Sequence, residues 1–152
     1  MTRIISCLTN SYGRFGAQAA IEMVREAGIE WIELPIRTEG ADSIFGDVPL
    51  LDHMATSEQL AAVVGRLADH DVRLCSCNVT SGNPLDRDVL AVTLRKLDVA
   101  ADLGVDLVVG GAGEADNESD LKALYGNLRT IGDHSTKLGM TYCFETHPGL
   151  CQ

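Results

Sequence analysis

The sequence has little positive charge. Twelve lysine and arginine residues stand against 22 aspartate and glutamate residues, giving a formal net charge of -10 at pH 7. Nucleic acids and anionic membranes select basic surfaces, so this balance predicts neither a nucleic-acid nor a membrane partner. The negative charge does not exclude small neutral ligands or ligands bound through a metal ion.

Long apolar runs are also missing. No stretch approaches the roughly 20 apolar residues of a membrane-spanning helix, and Met1 leads directly into a strand-like run instead of a signal segment. We therefore expect a cytoplasmic protein. With 45% hydrophobic and 22% charged residues, the composition is that of an ordinary globular chain and argues against disorder.

A disulfide framework is not indicated. The five cysteines form an odd set, and most lie in apolar, strand-like runs, which suits reduced and buried thiols. Cys75 and Cys77 are separated by one residue, whereas common zinc pairs have a gap of two or more. We interpret this pair as packing residues.

Strand-like and helix-like segments alternate along the chain, which we treat as one domain over residues 1–152. Short apolar runs predict five strands, at 3–9, 30–36, 72–79, 105–109 and 140–147. Apolar residues at helical spacing predict four helices between them. Thr56, Asp86 and either Asn117 or Ser119 are the expected caps of the last three helices, while Asn10 to Gly13 reads as a turn.

The order of the elements indicates a parallel sheet. Gly28, Gly104 and Gly139 each join a helix to the next strand, and strict alternation implies parallel strands with right-handed crossovers. An open doubly wound sheet and a (β/α)8 barrel both accept this order. The barrel is favoured because no dinucleotide fingerprint follows the first strand. A full barrel needs about 250 residues, so we expect a partial (β/α)8 TIM barrel, β1 to β5.

Polar residues follow most strands, as the mouth of a barrel requires. They are Asn10, Glu33, Asn78, Glu145 and His147. In the last strand a period of two places Glu145 and His147 on one face, and Pro148-Gly149 then ends the pairing. Glu33 is either a ligand-binding carboxylate or a packed hydrogen-bonding group. The glycine-rich turn at 110–113 lacks both phosphate-loop patterns.

Several of these segments resemble the xylose isomerase-like superfamily. The resemblance lies in Ala27–Leu34, in Asp102–Val109 and above all in the Cys-Phe-Glu-Thr-His-Pro-Gly segment at 143–149. It implies a TIM barrel and a sugar phosphate isomerase or epimerase. AP endonucleases of the same fold are the second possibility, disfavoured by the acidic charge.

The resemblance also implies roles for individual residues. Glu145 matches the glutamate that binds a divalent metal and takes part in proton transfer beside a carbonyl, so it is the expected catalytic residue and metal ligand. The metal would be Mn2+, Mg2+ or Zn2+. His147, Glu33 and Asn10 are expected to contact a small sugar or sugar phosphate, although His147 also fits a hydrogen-bonded loop histidine.

In that superfamily the other metal ligands come from strands six to eight, which this sequence lacks. We therefore expect the 152-residue chain to be the N-terminal portion of a barrel and inactive alone. Its first and last strands would leave open edges, through which copies of the chain could form a homo-oligomer. A non-catalytic half-barrel that serves binding or assembly is the alternative.

Overall fold

A computed structural model of the chain describes residues 3–42, 46 and 49–145. Its five strands are β1 (Ser6–Leu8), β2 (Trp31–Pro35), β3 (Arg73–Asn78), β4 (Leu107–Gly110) and β5 (Thr141–Phe144). Its four α-helices are α1 (Gly16–Met23), α2 (Ser57–Asp69), α3 (Arg87–Asp102) and α4 (Glu118–Lys137). Two short 3-10 helices, Thr9–Phe15 and Val24–Ala27, flank α1.

The strands form one parallel sheet in the order β1-β2-β3-β4-β5. Each strand pairs with its neighbour in sequence, and right-handed crossovers then place all the helices on the same face of the sheet. A doubly wound sheet would reverse its strand order and be covered on both faces. The predicted partial (β/α)8 barrel is confirmed.

The strand register separates the two faces of the sheet. Leu34 pairs with Cys77, and Cys77 pairs with Val108, so these three buried residues lie in one row. They belong to the core that also contains Ile21, Leu67, Leu97 and Ile131 from the four helices. Because side chains alternate along a strand, the residues next to them point to the opposite face, which corresponds to the inside of a barrel.

The predicted helix caps form as expected. Thr56 and Gln59 make a reciprocal capping box at the start of α2. The Asp86 carboxylate accepts hydrogen bonds from two backbone N–H groups of α3, and the Asn117 side chain accepts one from α4. These local pairings fix where each helix begins, because they satisfy N–H groups that have no partner within the helix.

The helix-to-strand junctions share a left-handed residue. Gly28, Gly104 and Gly139 have φ values of 75°, 78° and 74°. The junction before β3 has no glycine, and Asp71 takes the same position with φ of 52°. A short polar side chain tolerates this conformation better than most.

The first strand is shorter than predicted. Only Ser6–Leu8 pair with β2, whereas Ile4 and Ile5 precede the strand with 56% and 74% of their surface exposed. In the described residues β1 pairs with β2 alone. Since β2 begins at Trp31, opposite Ser6, the residues before Ser6 have no strand residue to pair with. Residues 10–13, predicted as a turn, belong to the 3-10 helix Thr9–Phe15, a succession of tight turns broken at Gly13.

Within the described residues, no helix has both the length and the hydrophobicity needed to cross a membrane.

Candidate functional site

Glu145 lies immediately after β5, at the carboxyl edge of the sheet. Its backbone N–H donates to the Gly110 carbonyl oxygen at 3.0 Å, so the ladder between β4 and β5 continues to this residue. Glu145 is two residues beyond Cys143, which pairs with Val109, and Val109 in turn pairs with Asn78 on the inner face of the sheet. Alternation therefore places the exposed Glu145 side chain on that face.

Glu33 lies on the same inner face, on β2. Its Oε2 accepts a hydrogen bond of 2.7 Å from the Ser76 hydroxyl of β3, and Ser76 is buried. Of the two readings of Glu33, the structure provides the hydrogen-bonded one. Contact with a substrate stays a prediction. It is compatible with this hydrogen bond, because the half-buried carboxylate has lone pairs beyond the one that Ser76 uses.

A β-bulge brings Ser76 opposite Glu33. Ile32 pairs with Leu74 and Glu33 pairs with Ser76, which leaves Cys75 as the extra residue. The Cys75 thiol donates to the Ile32 carbonyl oxygen at 3.1 Å and lies 3.4 Å from the Ser76 hydroxyl. The four described cysteines are free thiols, and burial strongly raises the pKa of Cys77, as the packing interpretation requires.

Asn10 and Thr9 follow β1 at the same edge. Asn10 is half-buried in the 3-10 helix, where it remains a predicted substrate contact. Thr9 is 1% exposed, and its hydroxyl has no hydrogen-bond partner among the described residues. Thr9 is thus a further polar residue at a strand end, beyond those that the sequence alone indicates.

His147 lies outside the described residues, so its predicted role is untouched by the structure. Among the residues that are described, no group of three or more His, Cys, Asp or Glu side chains is arranged to hold a metal ion. A divalent cation prefers six or more oxygen ligands, and Glu145 is one carboxylate. The described residues therefore do not by themselves fit a divalent ion.

Glu33 and Glu145 are not neighbours. Glu33 lies on β2 and Glu145 directly follows β5, and β3 and β4 lie between these two strands. Three strand spacings amount to roughly 14 Å along the sheet. A ligand would have to span the inner face to contact both carboxylates.

The glycine-rich turn after β4 packs tightly against β5. A Cβ on Gly110 would collide with the Tyr142 hydroxyl and ring. That hydroxyl donates to the Gly111 carbonyl oxygen at 3.3 Å, and burial raises the pKa of Tyr142 to about 12. The turn is a site of close packing, consistent with its lack of a phosphate-loop pattern.

The loops after β3 and β4 are joined. The Asn83 side chain donates to the Glu114 carbonyl oxygen at 2.9 Å, and a Cβ on Gly113 would clash with Asn83 and Pro84. Asn78 turns the chain at the end of β3 by accepting a hydrogen bond of 3.1 Å from the Thr80 N–H. We call residues 80–84 and 111–114 together the joined loops.

Lys96 is a buried cation that the sequence reading does not predict. It lies on α3 with no exposed surface, and its ammonium donates to the Thr80 carbonyl oxygen at 2.8 Å. Burial and the nearby Arg37 lower its pKa to about 8. The available signal is its position within the buried face of α3, between Thr93 and Ala100.

Comparison with known proteins gives the chain its relatives. Residues 21–151 match the sequence profile of the family described as xylose isomerase-like TIM barrel. No curated protein matches the sequence.

Solved structures share the fold at low identity. A sugar phosphate isomerase/epimerase from Parabacteroides distasonis has a TM-score of 0.68 and 18% identity, and the alignment covers 97% of this chain and 52% of that one. A xylose isomerase-like TIM barrel protein from Mycobacterium smegmatis, in complex with magnesium, has a TM-score of 0.72 and 19% identity over 96% and 56%. A D-tagatose 3-epimerase-like protein has a TM-score of 0.69 and 12% identity over 97% and 54%. The chain spans about half the length of these proteins.

Proposed function

The chain belongs to the xylose isomerase-like TIM barrel family, and on that basis we propose that it is the β1–β5 part of a sugar isomerase or epimerase. The substrate class is a small sugar, sugar phosphate or polyol, and the reaction is proton transfer at a carbon beside a carbonyl. The observation that carries the proposal is the position of Glu145, an exposed carboxylate at the carboxyl edge of the sheet. Catalytic groups of TIM barrels lie at this edge.

The chain's own residues supply binding and proton transfer in this proposal. Glu145 takes up the proton, because a carboxylate at hydrogen-bond distance from an acidified C–H group is a competent general base. Glu33, held by Ser76, and Asn10 accept or donate hydrogen bonds to substrate hydroxyl groups. His147 would contact the same hydroxyl-rich ligand.

A divalent metal would supply polarisation of the substrate carbonyl. Glu145 is the proposed ligand on this chain, and the magnesium in the M. smegmatis relative supports the choice of a hard cation. The other ligands would have to come from outside the described residues, either from further βα units or from another chain. We therefore propose that the 152 residues alone are inactive.

Native mass spectrometry in the presence of Mn2+ tests the metal assignment, because one spectrum reports assembly and metal content together. We expect a metal-free monomer or a metal-loaded assembly in which Glu145→Gln removes the metal. Glu114→Gln is the matched control, since Glu114 is an exposed carboxylate at the same edge of the sheet. Metal that stays bound in both Glu145→Gln and Glu114→Gln would contradict the assignment.

Solvent exchange tests the reaction. In D2O, the assembled barrel should incorporate deuterium next to the carbonyl of a ketose, detected by proton NMR. Glu145→Gln should slow this exchange by about 10²-fold or more, the usual contribution of a general base. Equal rates in the two proteins would exclude Glu145 as the base.

A non-catalytic half-barrel that serves binding or assembly is the second candidate. It is favoured by the absence of a three-ligand metal cluster among the described residues. An assembly that forms without metal and exchanges no substrate protons would support it.

A further inference from the structure

Lys96 occupies a position that an apolar side chain would fill at lower cost. The buried face of α3 consists of Thr93, Lys96, Leu97, Val99 and Ala100. Lys96 has 0% of its surface exposed, whereas the other two lysines of the chain, Lys122 and Lys137, lie on the exposed side of α4. Lysine is almost never fully buried unless its charge is paired.

No carboxylate pairs with Lys96 among the described residues. The described ion pairs are made by Arg25, Arg95 and His134. The charged group that acts on the pKa of Lys96 is another cation, Arg37. The Ile36 N–H donates to the Asn78 carbonyl oxygen at 2.9 Å, which sets Arg37 beside the segment that leads to Thr80.

The ammonium instead holds a backbone carbonyl at the barrel mouth. Its donor bond of 2.8 Å ends on Thr80, the first residue of the joined loops. Thr80 is also held through its N–H by Asn78, and the Ser81 hydroxyl donates to the Val79 carbonyl oxygen at 2.9 Å. Lys96 thus anchors the joined loops from the helical side of the sheet, next to a second anchor on α4, where the Asn127 side chain donates to the Pro84 carbonyl oxygen at 2.9 Å.

We propose that Lys96 is a positioning residue for the barrel mouth, whose ammonium holds the Thr80 carbonyl and thereby sets the conformation of the joined loops. Because a charged donor makes a stronger hydrogen bond than a neutral one, the loops respond to the protonation of Lys96. This inference concerns the conformation of the mouth and does not depend on the reaction proposed above.

Burial is the main reason why Lys96 loses its proton at a lower pH than an ordinary lysine. Burial and Arg37 both lower its pKa, to about 8. On α3, Arg95 and Asp98 pair with each other, and His134 of α4 bonds to Asp98 at 2.7 Å. From the sheet, Cys77 stays a neutral thiol because burial raises its pKa, and Glu33 is held by Ser76 on the opposite face.

NMR of the full chain tests the proposal. With three lysines, the Lys96 Nζ resonance can be assigned and followed from about pH 6.5 to pH 10. We expect the backbone amides of Thr80, Ser81 and Gly113 to shift with the same midpoint as Nζ, near pH 8. In Lys96→Met these amides should be displaced at pH 7 and lose the titration, whereas Lys122→Met should leave both unchanged.

Two results would overturn the proposal. One is an Nζ midpoint at the ordinary lysine value of about 10.4. The other is a set of loop amides that do not follow the Nζ titration in the unaltered chain. Both are read from the unaltered chain, so the test stands even if Lys96→Met does not fold, and neither depends on catalysis.

Discussion

At the residue scale, Gly110 shows how an absent side chain sets the packing of the mouth. Its missing Cβ makes room for the Tyr142 hydroxyl and ring, which lie under the turn after β4. A methyl group added here forces either the ring or β4 to move. The close approach, and not a special backbone angle, is what requires glycine, because Gly110 does not have a positive φ.

Gly110→Ala should lower the free energy of unfolding by about 2–3 kcal/mol, the upper part of the usual range for overpacking. Gly111→Ala is the matched control, since its Cβ would meet only the Thr80 methyl at 3.9 Å, an ordinary contact. Urea unfolding of both variants measures the difference. Equal unfolding midpoints would show that Tyr142 moves aside at no cost.

The burial of Lys96 predicts a pH-dependent stability. Its pKa is about 8 in the folded chain and about 10.4 when unfolded, so the unfolded state binds more protons between these values. The unfavourable contribution of Lys96 is therefore full below pH 8 and disappears as the pH rises to about 10.4. The difference corresponds to roughly 3 kcal/mol.

Urea unfolding between about pH 7 and pH 10 checks this linkage. The stability of the native chain relative to Lys96→Met should rise with pH over this window. Taking the difference between the two proteins removes the titration of all other groups. A difference that is constant with pH would show that Lys96 titrates equally in both states.

At the element scale, the helices begin where a local side chain satisfies the first free N–H groups. The capping box of α2 is the clearest case, because Thr56 and Gln59 each accept a backbone hydrogen bond of the other, at 3.3 Å and 2.8 Å. Neither bond depends on the rest of the fold. This is why the sequence pattern alone predicts it.

Thr56→Ala should lower the free energy of unfolding by about 1 kcal/mol, the typical cost of losing an N-cap. Ser57→Ala, one residue into the helix, is the control and should change it by less than about 0.5 kcal/mol. Thermal unfolding followed by circular dichroism measures both. If Ser57→Ala costs as much as Thr56→Ala, the capping box is not the source of the stability.

At the scale of the whole molecule, the sheet has two open edges. In the described residues β1 pairs only with β2, and β5 pairs only with β4, whereas a closed barrel has no edges. The chain also spans only 52–56% of three of the barrel structures it matches. Both facts support the proposal that further βα units, from this protein or another copy, complete the barrel.

Self-association through the β1 edge is open to a direct test. Ile5, 74% exposed just before β1, is a suitable site for a charge that opposes edge pairing. If copies associate there, Ile5→Lys should shift analytical ultracentrifugation toward monomer. Val64→Lys, on the half-exposed side of α2, is the control and should leave the distribution unchanged. An equal shift in both variants would point to a nonspecific effect of charge.

The sequence by itself determined the alternating order of strands and helices, the caps at Thr56 and Asp86, and the glycine junctions, and it narrowed the cap of α4 to Asn117 or Ser119. These depend on interactions between residues at most a few positions apart, so a local pattern contains them. The position of Glu145 at a strand end also followed from such a pattern, although the strand itself ends at Phe144.

Only the tertiary structure decided the bulge at Cys75, the bond between Glu33 and Ser76, the Tyr142 ring beneath Gly110 and the burial of Lys96. Glu33 and Ser76 are 43 residues apart in the sequence, and Lys96 and its partner Thr80 are 16 apart. Strand register and helix packing bring such residues together, and a period of two or 3.6 carries no information about which distant residue will lie opposite.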